Sequence, residues 1–298
     1  MRDWSADFVV DEAGVRRLLA QFPELAVRSL QPFAEGWDYA IWLVNQEWAF
    51  RFPRREVGIA GTRVEIEVLP ALAPLLPIPV PKPVFVGAPT DDFPWPFFGA
   101  RLLPGRELAE VAVDDAERVE IARALGAFLR RLHEAEVGFE LPVDQNRRGN
   151  MQARVPVARE QLEKLEEERL WHAPASVADI FAAALELPPP QPSAVVHGDL
   201  HFRQVLIDES RRVTGVIDWV DIGRSDPGVD FSLYWSYFPP AARTALLDSY
   251  GAVTDDQLLR ARVLALNLCA ILARYGAAEG NAAVRDEALA GLDRAAAT

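Results

Sequence analysis

The run VHGDLHFRQVLID over residues 196–208, with VIDW following at 216–219, sets one Gly, one Gln, two His and three Asp among Val, Ile and Leu. Polar groups inside apolar runs are costly to bury unless something satisfies them. The stretch is therefore either a polar network bracing a core or a site that handles charge. Asp199 follows His197-Gly198 directly after the apolar pair Val195-Val196, so it lies at the end of a short strand or on the loop beyond. A carboxylate there can accept a proton from an attacking hydroxyl. Gln204 and Asp218 supply an amide oxygen and a carboxylate, the donor types that a hard cation such as Mg²⁺ prefers.

The elements around these residues must bring them together. QVLID and TGVIDW read as a hairpin with Asp208 through Thr214 as its turn. That hairpin would place Gln204, near the start of its first strand, close to Asp218, near the end of its second. Upstream, DEAGVRRLLAQF has helical spacing and an acidic start, and LQPFAEGWDYAIWLVNQEWAFRFP alternates between turn residues, as successive antiparallel strands do. RVEIEVLPALAPLL fits a helix that Pro70 bends or bounds. VPKPVFVGA and FPWPFFGARLLPG read as two more strands, with prolines confining them to edges or strand ends. Beyond them the pattern is helical: DDAERVEIARALGAFLRRLHEAEV, VPVAREQLEKLEEERLW, SVADIFAAALEL, PAARTALLDSYG, TDDQLLRARVLALNLCAILARYG and NAAVRDEALAGLDRAAA, with PPPQPS (188–193) as a stiff linker into the polar motif. The expected fold is α+β in two lobes, a small antiparallel-sheet lobe over 1–103 and a larger helical lobe over 104–298.

Composition narrows the chemistry. The formal net charge is −13 in 298 residues, which argues against a broad electrostatic footprint for nucleic acid. The single cysteine, Cys269, sits in an apolar run, which excludes a disulfide framework and a cysteine-ligated zinc site. No targeting segment or uninterrupted membrane-length apolar run is seen, and a cytoplasmic, monomeric protein is expected. Of the 31 basic residues only Lys82 and Lys164 are lysines. The chain can thus grip oxyanions with guanidinium forks but has almost no amine for base or Schiff-base work.

Taken jointly, HGDLHFRQVLID…GVIDWVDIGRSDPGVDFS resembles the aminoglycoside phosphotransferase family, whose fold is that of protein kinases. The family pattern H-G-D-x-x-x-x-N, then I-D-W or I-D-F, then D-P-x-x-D, is matched by His197-Gly198-Asp199, by Ile217-Asp218-Trp219 and by Asp226-Pro227…Asp230. The resemblance implies that Asp199 is the catalytic base, that Asp218 and Gln204 hold Mg²⁺, and that His197 braces the loop. It implies that Asp226 and Asp230 bond to backbone amides. It also places Arg51 of EWAFRFPRR on the phosphates of GTP or ATP, with Glu65 as its helix partner, and EGWDYA as the phosphate-covering turn. FFGARLLPG resembles the hinge, where backbone groups of Gly99, Ala100, Arg101 and Leu102 would hold the purine.

Two positions depart from the family. Gln204 stands for the usual Asn and Arg51 for the usual Lys. Macrolide phosphotransferases also depart from Asn there and carry R-x-P-R-R, which Arg51-Phe52-Pro53-Arg54-Arg55 resembles, so the resemblance implies the 2′-hydroxyl of a macrolide amino sugar as acceptor. The aromatics Phe202, Trp235, Tyr237 and Phe238 are the candidates for the acceptor's apolar wall, although aromatics at helical spacing also serve as core. An aminoglycoside kinase, a metabolic kinase for choline, an amino acid or a sugar, and a nucleotide-binding pseudokinase are the alternatives, because the phosphate machinery is shared while acceptor pockets vary.

Overall fold

A computed structural model describes residues 6–36, 38–144 and 146–297. The chain divides into two compact units. One comprises residues up to Pro74 together with Pro79–Leu103, and the other comprises Leu75–Ile78 with everything from Pro104.

The first unit carries helix α1 (Glu12–Leu19), strands β1 (Leu30–Glu35), β2 (Tyr39–Val44) and β3 (Trp48–Pro53), helix α2 (Gly58–Leu72), and strands β4 (Pro83–Gly87) and β5 (Phe97–Arg101). Its five strands are antiparallel in the order β1-β2-β3-β5-β4. The alternating run in the sequence therefore folds as three successive strands. Pro83 opens edge strand β4, as a residue without an amide hydrogen should. β5 is an interior strand, and Pro94 and Pro96 lie just before its start, outside its ladder, which is the strand-end placement the prolines allow. Pro70 also sits inside α2, which continues to Leu72 and then tightens into a 3-10 turn over Ala73–Leu75. Asp11 caps α1 by accepting from the Gly14 amide at 2.7 Å. Against the sheet, Phe50, Phe52, Phe93 and Phe97 pack stacked and edge-to-face at ring separations of 4.9 to 6.4 Å, together with Val15, Leu18 and Leu19 of α1. Each enclosed ring contributes about 1.5–3 kcal/mol through the apolar area it hides from water.

The second unit contains β6 (Arg106–Glu107), α3 (Asp115–His133), α4 (Met151–Glu167), α5 (Ser176–Leu185), β7 (Ala194–Val196), β8 (Val205–Ile207), β9 (Val213–Val216), β10 (Gly223–Ser225), α6 (Ser232–Ser236), α7 (Pro240–Tyr250), α8 (Asp255–Ala278) and α9 (Ala282–Ala296). α3 packs on α7, and α8 packs on α4 and α9. Both α3 and α8 begin with capping boxes, Asp114 with Glu117 and Thr254 with Gln257. By length and composition α8 is apolar enough to cross a membrane, but most of it is buried as the central helix of this unit and it carries Arg260, Arg262 and Arg274. Cys269 on α8 is buried, and burial pushes its thiol up to about 12, so it stays a small apolar filler. Two small sheets complete the unit: β7 with β10, and the hairpin β8–β9 with β6 on its other side.

Candidate active site

The site grows from β7, whose three residues are fully enclosed, into the loop His197-Gly198-Asp199. Asp230, with no exposed surface, holds that loop: its carboxylate accepts from the His197 amide at 2.7 Å and the Gly198 amide at 2.9 Å, and His133 Nε2 lies 3.1 Å away. Burial alone would push this carboxyl up. The hydrogen bond and charge of His133, the charge of His197 and the Gly198 amide outweigh it and hold the carboxyl below the usual range. Gly198 has φ +91°, and a Cβ there would collide with the Asp221 carbonyl oxygen, so the position requires glycine. Burial lowers the pKa of His197 and keeps it neutral. Its Nε2 lies 2.9 Å from the Ile217 carbonyl while Nδ1 receives the Asp199 amide, an arrangement that assigns the proton to Nε2. The ring packs 4.6 Å from that of Trp219. His197 therefore braces the loop. Asp226 caps the following 3-10 turn through the Gly228 amide at 2.9 Å.

The hairpin read from the sequence is present, with Val205 opposite Val216 and Ile207 opposite Val213. The Ile217 amide donates to the Gln204 carbonyl at 2.9 Å, which extends the ladder and sets Gln204 beside the residue preceding Asp218. Gln204 is buried, and among the described residues its Oε1 has no hydrogen-bond partner. A buried amide oxygen left this way costs about 1–3 kcal/mol, and a cation would satisfy it. Asp218 adopts φ +68°, a left-handed conformation that non-glycine residues adopt at a cost and that recurs at functional sites. No cluster of three His, Cys, Asp or Glu able to hold a metal exists among the described residues, so a cation here would rely on the Gln204 amide oxygen together with Asp218.

Asp199 is paired with a residue that the sequence reading did not single out. Arg148, in the loop between α3 and α4, donates from Nη1 to Asp199 Oδ1 and from Nη2 to Asp221 Oδ2 at 2.6 Å. Asn146 Nδ2 holds the other Asp221 oxygen at 2.6 Å. His201 Nε2 stands 4.0 Å from Asp199 Oδ2. Burial, aided by the charge of Arg203, pushes the His201 ring down to about 3. It is therefore neutral, with Nδ1 accepting from the Arg203 amide at 3.2 Å. The signal for Arg148 was slight: one of two adjacent arginines, 51 positions from its partner.

In the first unit Arg51 and Glu65 meet as expected, Nη1 to Oε1 at 2.9 Å, with Glu65 buried at 1 % exposure and the guanidinium 3.6 Å from the Tyr39 ring centroid. Arg54 pairs with Glu35 and donates to the Gly36 carbonyl, and Arg55 pairs with Asp38, so both arginines brace the turn after β1. Of that turn, Trp37 lies outside the described residues. The hinge expectation needs correction. Gly99 and Ala100 lie within β5 between β3 and β4, and their backbone groups are engaged in the ladder. A Cβ at Gly99 would run into the Phe50 ring, so this glycine serves packing. Arg101 ends the strand and pairs with Glu47, and the Leu102 amide donates to the Glu47 carbonyl at 2.8 Å.

The proposed aromatic wall also differs. Phe202, Tyr237 and Phe238 have no exposed surface and pack as core. Trp235 carries the guanidiniums of Arg243 and Arg262 4.6 and 4.4 Å from its ring centroid and donates to the Leu258 carbonyl at 2.7 Å. Adjacency to the motif in sequence did not translate into exposure: Phe202, between β7 and β8, and Tyr237 and Phe238, just past α6, are all enclosed.

Residues 29–264 match the family described as the phosphotransferase enzyme family. One curated relative, the uncharacterized protein YcbJ of Bacillus subtilis (strain 168), is 43 % identical over 58 residues, about a fifth of each chain. Among solved structures, the GDP and kanamycin complex of APH(2")-IIIa superposes with a TM-score of 0.67 at 23 % identity, covering 96 % of this chain and 98 % of that one. The macrolide 2'-phosphotransferase MphH from Brachybacterium faecium gives 0.60 at 23 % identity, covering 93 % and 98 %. At these identities the likeness establishes the two-lobed kinase-like fold.

Proposed function

The chain belongs to the phosphotransferase enzyme family, and from that membership we propose that it transfers the γ-phosphate of GTP or ATP to a hydroxyl of a small molecule, with the 2′-hydroxyl of a macrolide amino sugar as acceptor. The observation that carries the reading is the orphaned Gln204 Oε1 on a hairpin with Asp218, directly downstream of the loop presenting Asp199. In this reading Asp199 orients the acceptor hydroxyl and takes its proton on Oδ2, the oxygen that Arg148 leaves unengaged. Asp218 and Gln204 would hold Mg²⁺, which when bound neutralises charge on the phosphates. Arg51, fixed by Glu65, would grip phosphate oxygens as a fork where a lysine would offer a point charge. The macrolide acceptor is supported by the R-x-P-R-R run and by the likeness to the Brachybacterium enzyme. An aminoglycoside acceptor is the second reading, favoured by the higher TM-score to the kanamycin complex. The acidic composition and one buried cysteine suit action in the cytoplasm.

The test is nucleotide consumption by purified protein with Mg²⁺, comparing GTP with ATP against erythromycin, kanamycin and choline, with Asp199→Asn as the blank. Turnover stimulated by the macrolide establishes reaction and acceptor together. Nucleotide binding with no acceptor-stimulated turnover above the blank would overturn the kinase reading in favour of a nucleotide-binding protein without transfer.

A further inference from the structure

We infer that Arg148 is the positioning residue for Asp199: it anchors one carboxylate oxygen so that the other is presented to the acceptor hydroxyl. The inference rests on the proposed transfer reaction and adds a residue to it. Three features carry it. First, the two guanidinium arms are divided. Nη1 holds Asp199 Oδ1 and Nη2 holds Asp221 Oδ2, so the fork is fixed at both ends and cannot swing freely about Asp199. Asp221 is itself held by Asn146, so the chain Asn146–Asp221–Arg148–Asp199 fixes the base through successive hydrogen bonds. A base oriented by a third group is the general logic of hydrogen-bonded catalytic relays.

Second, Arg148 is the cation paired to Asp199 among the described residues. The ring within 4.0 Å, His201, is beyond hydrogen-bond distance of Asp199, and its Nδ1 is committed to the Arg203 amide. Among the described residues Asp199 Oδ2 therefore keeps its lone pairs for a substrate, while Oδ1 is committed to Arg148.

Third, the backbone that carries Arg148 is built to hold it. The neighbouring Gly149 amide is taken by both oxygens of Asp144 at 3.0 and 3.2 Å. The Gly149 carbonyl accepts from Arg260 Nη1 at 2.7 Å, and Arg260 is a buried residue of α8. Asn150 then caps α4 through the Ala153 amide. Arginines on solvated loops pay heavily in side-chain entropy to hold one geometry. Here the backbone next to Arg148 is fixed at Gly149 by a buried guanidinium and a carboxylate, so part of that cost is met before Asp199 is engaged.

The test compares wild type, Arg148→Ala, Arg148→Lys and Asp199→Asn with the acceptor that gives turnover, alongside thermal melts. Arg148→Ala is expected to lower kcat at least tenfold while leaving the nucleotide KM within about twofold. Arg148→Lys should recover part of the loss, since an ammonium reaches one carboxylate but cannot bridge two. Millimolar guanidinium chloride added to Arg148→Ala should restore kcat severalfold and leave wild type unchanged, a response that a merely structural role does not give. The inference is overturned if a folded Arg148→Ala keeps wild-type kcat, or if its loss falls on KM and guanidinium does nothing. A wild type that shows no turnover above Asp199→Asn overturns the kinase reading itself, so the two failures are told apart.

Discussion

The buried His201 ring makes a quantitative prediction about acid. Its folded pKa is pushed down to about 3 by burial, with Arg203 and Arg148 adding to the shift, against an unfolded value of about 6.5. A histidine whose pKa is lowered by folding supplies stability above the unfolded pKa that is lost as pH falls below it, because the unfolded chain takes up the proton first. Between pH 7 and pH 5 this single group should cost about 2 kcal/mol of folding stability, and at pH 4 about 3 kcal/mol. His197, also buried and lowered, acts in the same direction. Asp230, held below its ordinary carboxylate range, is lost only at more acid pH and lies outside this window. The share of His201 is isolated with His201→Asn, in which an amide oxygen can still accept from the Arg203 amide that Nδ1 now serves. Urea titrations of both proteins at pH 7 and pH 5 give the difference. Wild type should lose about 2 kcal/mol more than the variant over that interval. Equal losses would mean that the folded ring takes up a proton as readily as the unfolded one, and the burial argument would be refuted.

Other outcomes are expected from the same geometry. Asp199→Asn should abolish acceptor-stimulated turnover while leaving nucleotide affinity within about twofold, checked by calorimetry, and Asp218→Asn should also remove the Mg²⁺ dependence of nucleotide binding. Arg51→Met leaves the buried Glu65 carboxylate without its guanidinium and should cost about 3–5 kcal/mol in urea unfolding, with Arg51→Lys losing markedly less. Gly198→Ala forces a side chain into a left-handed backbone and against the Asp221 carbonyl, and should cost at least about 2 kcal/mol by the same assay.

Much of this architecture was legible because local pattern and tertiary role agree. Alternation between 30 and 53 became three neighbouring strands, and the spacing of QVLID and TGVIDW became a hairpin with Gln204 backbone-bonded to Ile217. The roles of Asp226 and Asp230 as backbone acceptors were also readable, since D-P-x-x-D opens a turn whose caps face amides. What escaped depends on long-range packing. The prolines at the end of β5 were readable, but that β5 lies between β3 and β4 is set by pairing that alternation alone does not reveal. Phe202, Tyr237 and Phe238 read as ligand-facing from their nearness to the motif, but apolar burial outweighed that nearness. Arg148 carries no periodic signal, and its partner is 51 residues away.

The Arg51–Glu65 pair has a practical consequence for detection. Reagents that use a bound nucleotide to deliver an acyl group need a nearby amine, and a guanidinium, always protonated, does not take the acyl group readily. The two lysines are Lys82, just before edge strand β4, and Lys164, on α4 and paired with Glu160, and neither occupies the position of Arg51. If Arg51 grips the phosphates as proposed, surveys of nucleotide-binding proteins that count lysine labelling at the phosphate grip would pass over this protein even at full nucleotide occupancy. Reagents directed at guanidinium groups, such as dicarbonyl compounds, would be the appropriate probe of the proposed nucleotide site.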